Sequence, residues 1–412
     1  MKKQILFFMT AIIALLLLTL FAVWQNQSTN DNFIALPEDS CDALVLVEPD
    51  KQTNTSQYDL QQVKTKASVT EQYLPVASEK EPYLCYRKDL TAHINRTLEL
   101  GDENICHYGL FEKNNKTFAV FYAEIQDQSA AEHLCHLLLC YRDYFPILLL
   151  GKFDTVATEL LTDVCSLSYA TFNNVSYFYQ NLSVTSHETS GTLLLKVKET
   201  PRTLNLNQKM VAITFDDGPS QYTNEILQAI TSHSAKATFF VNGSHVTEHP
   251  ETIKNIFSNR CEIGNHTNLH ELFNRNTQAI IRKTIEETNK KVRTIIGIGT
   301  FVVRPPGGEV LDRYQNPVTI GYPIVRWSLD TFDYTENQTA ITVLESIRST
   351  EVKHGEIILM HDTKKVTAEA AESIVSYLLS QNFQLVTVSE LLEFTANGVV
   401  KDRIYNNTYS AN

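Results

Sequence analysis

Five short clusters in the second half of the chain hold side chains able to do chemistry. Thr214-Phe215-Asp216-Asp217-Gly218-Pro219 sets two carboxylates side by side. Asp-Gly-Pro is also an ordinary turn signal, but adjacent like charges are unfavourable unless a cation or a shared proton relieves them. His266-Thr267-Asn268-Leu269-His270 places two imidazoles four residues apart. On a helical turn that spacing brings both to one side, close enough to share a metal, although two surface histidines reach it by chance as well. Joined by the Asp217 carboxylate they supply two nitrogen ligands and one oxygen ligand, with a position left for water, as in a catalytic metal site.

The other three clusters are individually bland. Arg304-Pro305-Pro306-Gly307-Gly308 is either a tight turn or a stiff loop that holds an arginine near a carboxylate and turns backbone N–H groups to a ligand. Trp327-Ser328-Leu329-Asp330-Thr331-Phe332-Asp333-Tyr334 sets acids beside aromatics, as a sugar groove or a solvated loop does. Ile358-Leu359-Met360-His361-Asp362 puts a histidine at the exit of an apolar strand, where a lone histidine is more often structural.

The elements that must position these clusters alternate. Strands are expected at Met210–Phe215, Ala237–Val241, Val302-Val303, Ile324–Trp327, Ile357–Met360 and Leu385–Val388. Helices are expected at Thr223–Ser232, Pro250–Ser258, Thr277–Ile296, Ala340–Ser349 and Thr367–Leu379. This β-α order implies a parallel sheet covered by helices, as a barrel or a doubly wound sheet. Chemistry in such folds sits at the carboxyl ends of strands, and the polar clusters do follow the strands.

Taken together and in this order, the five clusters resemble those of the NodB-type polysaccharide deacetylases, a carbohydrate esterase family; Ala237-Thr238-Phe239-Phe240-Val241 matches the usual second strand. The resemblance covers about residues 208–394, a little under half of the chain. It implies a distorted (β/α) barrel in an α/β domain at 205–396. It also implies that Asp217, His266 and His270 hold a divalent metal, usually Zn2+, with Co2+ or another ion as the alternative. Asp216 would be the general base, positioned by Arg304, and His361 the general acid, tuned by Asp333. Leu359 would line a pocket for the acetyl methyl group, and Trp327, Gly307 and Tyr334 would border the substrate. The implied reaction removes N-acetyl groups from a GlcNAc-containing polymer such as peptidoglycan or chitin. Alternatives are an O-acetyl esterase of the acetylxylan type and a catalytically silent glycan-binding surface protein. Two positions depart from the family pattern: Gly307 and Tyr334 stand where an aromatic residue and a tryptophan are usual.

The need for a metal follows from proton affinities. Passing a proton from free water (pKa about 15.7) to a carboxylate near 4 is uphill by about 12 units, roughly 16 kcal/mol. A metal that lowers the water pKa to about 7 reduces this to about 3 units, near 4 kcal/mol.

Earlier residues set the expected compartment. Lys2 and Lys3 precede an uncharged apolar stretch, Ile5–Trp24, long enough to span a bilayer as a helix. Residues 1–25 therefore read as a signal-anchor of a single-pass cell-membrane protein with the catalytic domain outside. A cleaved signal and a secreted product are the alternative, but the stretch ends in bulky residues rather than a small-residue cleavage site. Residues 26–57 read as a stalk or linker and 397–412 as a tail. Region 58–200 reads as a cysteine-containing α+β ectodomain of unknown fold and function. Strands are expected there at Thr117–Tyr122 and Leu193–Val197, helices at Ala130–Tyr141 and Phe153–Ser166. Six of the seven cysteines (Cys41, Cys85, Cys106, Cys135, Cys140, Cys165) precede residue 200, which suggests up to three disulfides in an exported segment. His133-x-Cys135-His136-x3-Cys140 has a metal-like look but reads better as a core helix with disulfide cysteines. Ten Asn-x-Ser/Thr sequons give weak support for glycosylation; the one at Asn265 falls inside the metal motif and reads as accidental.

Composition limits the rest. At 43% hydrophobic and 20% charged residues the 412-residue chain can bury cores and is not disordered. A net charge of -12 without a basic run excludes nucleic acid as a natural partner. The expected partners are a polysaccharide and, through the first segment, a membrane; the oligomeric state is open.

Overall fold

The computed structural model describes residues 43–47, 96–101, 104–113, 116–172, 175–187, 192–197, 204–396 and 398–408. The apolar stretch Ile5–Trp24, Cys41 and Cys85 lie outside the described residues. Within them, no helix is long and apolar enough to cross a membrane.

The chain divides into two compact units. One comprises residues 1–124, 145–152 and 168–200. It carries β1 (Ala43–Val47), β2 (Arg96–Gly101), β3 (Asn104–Lys113), β4 (Lys116–Ile125), β5 (Ile147–Phe153), β6 (Ser168–Phe172), β7 (Val175–Gln180), β8 (Leu182–His187) and β9 (Thr192–Val197). They form a three-stranded sheet in the order β1-β9-β8 and a six-stranded sheet in the order β2-β3-β4-β5-β7-β6.

The other unit holds all five clusters. Its strands are β10 (Met210–Gly218), β11 (Thr238–Val241), β12 (Glu262–Asn265), β13 (Ile324–Val325), β14 (Leu329–Asp330), β15 (Ile357–His361), β16 (Gln384–Leu385) and β17 (Ile404–Tyr405). The pairings are parallel, in the order β12-β11-β10-β15-β14, with β16 beside the start of β10. Val303 alone bridges Asn265 to Ile324, so the sheet continues through one residue to β13 and then β17. The expected strand at Val302-Val303 is thus a single bridge, and that at Ile324–Trp327 is two residues long. These are the distortions of the barrel: the carbonyls of Arg304 and Arg326 turn from the ladder to side chains of the site. The stretch expected as a C-terminal tail supplies β17. The last expected strand stops at Leu385, because Thr387-Val388-Ser389-Glu390 forms a capping box and opens the helix Val388–Thr395.

Strand alternation sorts the side chains. Val211, Ile213, Phe215, Phe239, Val241, Ile358 and Met360 pack in one apolar cluster with the surrounding helices. Met210, Ala212, Phe240 and Ile357 belong to a second. With a period of two, Thr214, Asp216, Leu359 and His361 share the face of this second set, so polar groups cap that face at the strand ends.

This unit also includes residues 125–144 and 153–167, from the cysteine-containing region 58–200. Helix Gln128–Tyr141 matches the expectation, while the second helix is shorter, Thr155–Glu159, and runs on as a π-turn, Leu160–Val164. The expected disulfides do not form among the described cysteines. Cys106, Cys135, Cys140, Cys165 and Cys261 are all buried thiols. Cys140 Sγ donates to the His136 carbonyl (3.4 Å) and Cys165 Sγ to the Cys135 carbonyl (3.9 Å). They fill the core as small, weakly polar groups. His136 stacks on Phe301 at 4.9 Å, and its pKa is lowered to about 3 by burial.

The same stretch supplies charge partners. Lys236, 1% exposed, reaches Asp143 Oδ2 (2.6 Å) and Glu390, and lies over the Tyr144 ring at 4.6 Å. Tyr144 and Tyr141 donate to Glu390 (3.1 Å) and Glu393 (2.8 Å), and Arg293 grips Glu132 with two bonds of 2.6 and 2.9 Å. Removing one member of a buried ion cluster leaves its partners uncompensated. Lys236→Met is therefore expected to cost about 3–5 kcal/mol, read as a lower urea midpoint. A chain starting at residue 204, which lacks Asp143, should unfold at lower urea than one starting at residue 96.

Candidate active site and metal centre

The two adjacent aspartates face different partners because β10 bulges between them. Register with β11 runs evenly to Asp216↔Phe240 and then jumps to Gly218↔Val241, and Asp217 has a φ of 73°. An extra residue turned left-handed re-aims its side chain, so both carboxylates serve the same strand end. The Asp217 carbonyl is held by His245 Nδ1 (2.8 Å) and Asn242 Nδ2 (3.3 Å).

Asp217 Oδ1 lies 3.6 Å from His266 Nε2 and 3.5 Å from His270 Nε2, and the three donor atoms all fall within 4.8 Å of one another. These separations are too long for good hydrogen bonds. They fit donors around one ion: two ligands about 2.05 Å from a tetrahedral ion stand roughly 3.3 Å apart. Asp217 Oδ1 is buried and accepts no hydrogen bond, as a ligand atom should be without its cation. The residues present therefore fit a divalent metal.

The histidines do not share a helical turn, as the spacing suggests. Thr267 and His270 both have left-handed backbones (φ 68° and 59°). Local bonds impose this loop: Thr267 N to Asn265 Oδ1 (2.9 Å), Leu269 N to Glu271 Oε2 (2.8 Å) and Glu271 N to Thr267 Oγ1 (2.9 Å). The rings meet edge to face at 5.1 Å. His266 Nδ1 bonds the Arg304 carbonyl (2.8 Å), which needs a proton on Nδ1 and leaves the Nε2 lone pair facing Asp217. Burial lowers the His266 pKa against the raising pull of Asp216 and Asp217, favouring the neutral ring that ligates metal. Asn265, fully buried, donates to the Ile285 carbonyl (3.0 Å) and is closed to a glycan.

Asp216 is 3% exposed. Arg304 Nη1 donates to its Oδ1 (2.8 Å) and to Thr214 Oγ1 (2.7 Å), while Nη2 donates to the Arg326 carbonyl (3.0 Å). The guanidinium is fully buried over Phe240 at 4.1 Å, with Trp327 at 5.7 Å. Trp327 thus serves as a wall behind Arg304, and its ring would stand 2.9 Å from a Cβ at Gly308. Gly307 is different: at φ 68° a Cβ there would meet one atom, Leu272 Cδ2 at 3.5 Å, so the space is open but the backbone favours glycine.

On the other side, His361 Nδ1 pairs with Asp333 Oδ1 (2.8 Å), whose Oδ2 accepts the His361 N–H (2.7 Å) and Thr367 Oγ1 (2.5 Å). Burial alone would lower the His361 pKa; the bond to Asp333 and the charges of Asp333, Asp216 and Asp217 outweigh it and raise it. Tyr334, 46% exposed, stands edge-on to His361 at 5.3 Å. Leu359 lies in register with Thr214, 3% exposed. Asp330 only braces the loop, accepting from Phe332 N (2.8 Å) and Tyr334 OH (3.2 Å).

Several supports escaped the sequence reading. Asp362 is fully buried; its pKa rises to about 7, through burial above all, with Asp217 and Asp216 adding to the push against a lowering bond from Thr223. The Thr223 hydroxyl bonds it (2.6 Å), and a Cβ on Gly218 would strike it at 2.0 Å. Thr214 and Thr367 orient Arg304 and Asp333. Their one sequence signal is a hydroxyl at a buried position beside a motif acid.

The site thus joins a bulged parallel strand carrying a base-type carboxylate, a two-histidine, one-aspartate triad whose donors fit a metal, and an aspartate-braced histidine. A family profile described as polysaccharide deacetylase matches residues 203–323. The chain is 35% identical over 192 residues to the peptidoglycan-N-acetylmuramic acid deacetylase PdaC of Bacillus subtilis (46% of this chain, 40% of that one). It is 34% identical over 198 residues to the peptidoglycan-N-acetylglucosamine deacetylase PgdA of Listeria monocytogenes (48% and 41%). It is 32% identical over 195 residues to a peptidoglycan-N-acetylglucosamine deacetylase of Bacillus cereus (46% and 90%). The chain thus spans about two fifths of the first two relatives and nearly all of the third. It belongs to the polysaccharide deacetylase family.

Arg304 carries the most buried bonds in the site. Arg304→Ala should cost about 3–5 kcal/mol by leaving Asp216 buried and unpaired, seen as a lower melting temperature. Arg304→Lys keeps the charge but loses the planar fork and should fall between the two.

Proposed function

We propose that this protein is a metal-dependent hydrolase that removes N-acetyl groups from GlcNAc-containing polysaccharide, with peptidoglycan as the leading substrate. The observation that carries this reading is the convergence of Asp217, His266 and His270 on one point beside Asp216, whose register partner on the next strand is the Asp333-braced His361. Three peptidoglycan deacetylases among the relatives support the choice of polymer.

When bound, a divalent ion, Zn2+ by donor set, supplies Lewis acidity that acidifies water and draws charge from the acetyl carbonyl. The protein's own residues do the rest. Arg304 occupies Asp216 Oδ1 and leaves Oδ2, 3.7 Å from His266 Nε2, as the acceptor of the water proton. Water oxygen then bonds the acetyl carbon. His361 Nδ1 is committed to Asp333, so Nε2 is the donor that protonates the departing nitrogen as the C–N bond breaks. Acetate and a free amine leave.

Such a substrate lies outside the cell membrane, and we place the catalytic unit there, tethered by the stretch at Ile5–Trp24. Protease digestion of intact cells tests this: a catalytic unit untouched until lysis overturns it.

Acetate release from N-acetylglucosamine oligomers and from peptidoglycan, with and without chelator, tests the activity; acetylxylan in parallel tests the O-acetyl alternative. No release from any of them with Zn2+ or Co2+ overturns the reading. Asp216→Ala should lower kcat by about 10²- to 10⁴-fold while metal content, measured by mass spectrometry, persists. His266→Ala should lose the metal itself. The raised His361 pKa keeps the acid form to higher pH than an ordinary histidine. In Asp333→Asn burial wins, the pKa falls, and the alkaline limb of kcat/KM should move to lower pH.

A further inference from the structure

Beside His361 two large aromatic side chains stand in water: Phe332 is 51% exposed and Tyr334 46%. Their ring centroids are 6.3 Å apart, tilted by 53°, and Tyr334 in turn touches His361. The sequence sets both rings beside the motif acids, but the family resemblance gives a substrate-bordering role to Tyr334 and none to Phe332.

Phe332 is an odd choice for its backbone. Its φ is 55°, the left-handed region where glycine and asparagine rest and a bulky side chain is disfavoured. The turn that delivers Asp333 uses only groups that any residue has: Phe332 N donates to Asp330 Oδ1 (2.8 Å), and its carbonyl accepts from Thr335 N (3.0 Å) and Thr335 Oγ1 (2.9 Å). Glycine or asparagine would serve that turn with less strain. Packing does not repay the ring either, since half of it is wet. A conformational cost at a site rim, joined to an exposed aromatic face, points to a ligand.

We infer that Phe332, together with Tyr334, forms a stacking platform for the apolar C–H face of a pyranose unit of the bound glycan, making Phe332 a substrate-binding residue. The inference rests on the deacetylase reading for the identity of the glycan. Neither ring brings a charge, so the platform suits neutral N-acetylhexosamine units. Amphipathic sugar faces and aromatic rings associate by the same burial and polarisability that pair aromatics with one another.

The test uses the full zinc-loaded chain and a β-1,4-linked N-acetylglucosamine pentamer, read by titration calorimetry and by acetate release. Phe332→Asn relaxes the backbone and removes the ring. It should weaken pentamer binding and raise KM by about three- to tenfold, with the loss on KM rather than kcat and the melting temperature no lower than the parent's. Phe332→Trp should restore affinity. Unchanged pentamer affinity in Phe332→Asn overturns the inference, as does a fall in kcat at constant KM, which would mark the loop as a holder of Asp333 alone. Phe332-dependent binding without acetate release from the parent keeps the platform and overturns the hydrolytic reading. No binding to the parent overturns both.

Discussion

Two carboxylates in succession at the end of a buried strand repel each other, and the site is organised around that repulsion. At 4 Å in a medium of effective dielectric near 20, two unit charges interact by about 4 kcal/mol. The chain offsets one charge with its own cation, Arg304, buried against Asp216. It leaves the other, on Asp217, facing two neutral-capable imidazoles. A fold that compensated both would have no affinity left for an ion; one that compensated neither would struggle to form the strand.

Arg304 links the two halves of that arrangement. Its guanidinium fixes Asp216 while its carbonyl fixes the His266 tautomer. One residue thereby sets both the orientation of the base and the lone pair offered to the metal. The residue can do this because its strand is reduced to Val303: after that bridge its N–H still bonds the Asn265 carbonyl (2.8 Å), while its own carbonyl turns to His266. The irregular barrel wall is thus a requirement of the chemistry.

The residue types that do chemistry were legible because they follow strands in a parallel α/β pattern, where strand ends converge. Asp216, Asp217, His266, His270, Arg304, Asp333 and His361 all meet at one end of the sheet. What the sequence hid is non-local or conformational. The i, i+4 histidines suggested a helix, but Asn265, Thr267 and Glu271 hold a left-handed loop through side chain to backbone bonds that no periodicity reports. Val388 looked like the end of a strand because apolar runs are ambiguous, and the capping box at Thr387 and Glu390 decides for helix. Cysteine spacing suggested disulfides, whereas Cys135, Cys140 and Cys165 serve as core thiols. Trp327, expected to border the substrate, is half-buried and also backs the Arg304 guanidinium at 5.7 Å, a role its motif does not announce.

The bulge at Asp217 makes the site depend on a residue count as much as on residue identity. Alternation on β10 would send position 217 to the helix-covered side, with Phe215 and Ile213. The single added residue between Asp216 and Gly218 prevents that. Shortening this strand end by one residue would preserve most of the composition of the motif yet turn a metal-facing carboxylate into oil, whereas surface loops of the same unit can gain or lose residues without disturbing it. Length variation among descendants of this sequence should therefore be excluded from 214–219 long before it is excluded elsewhere.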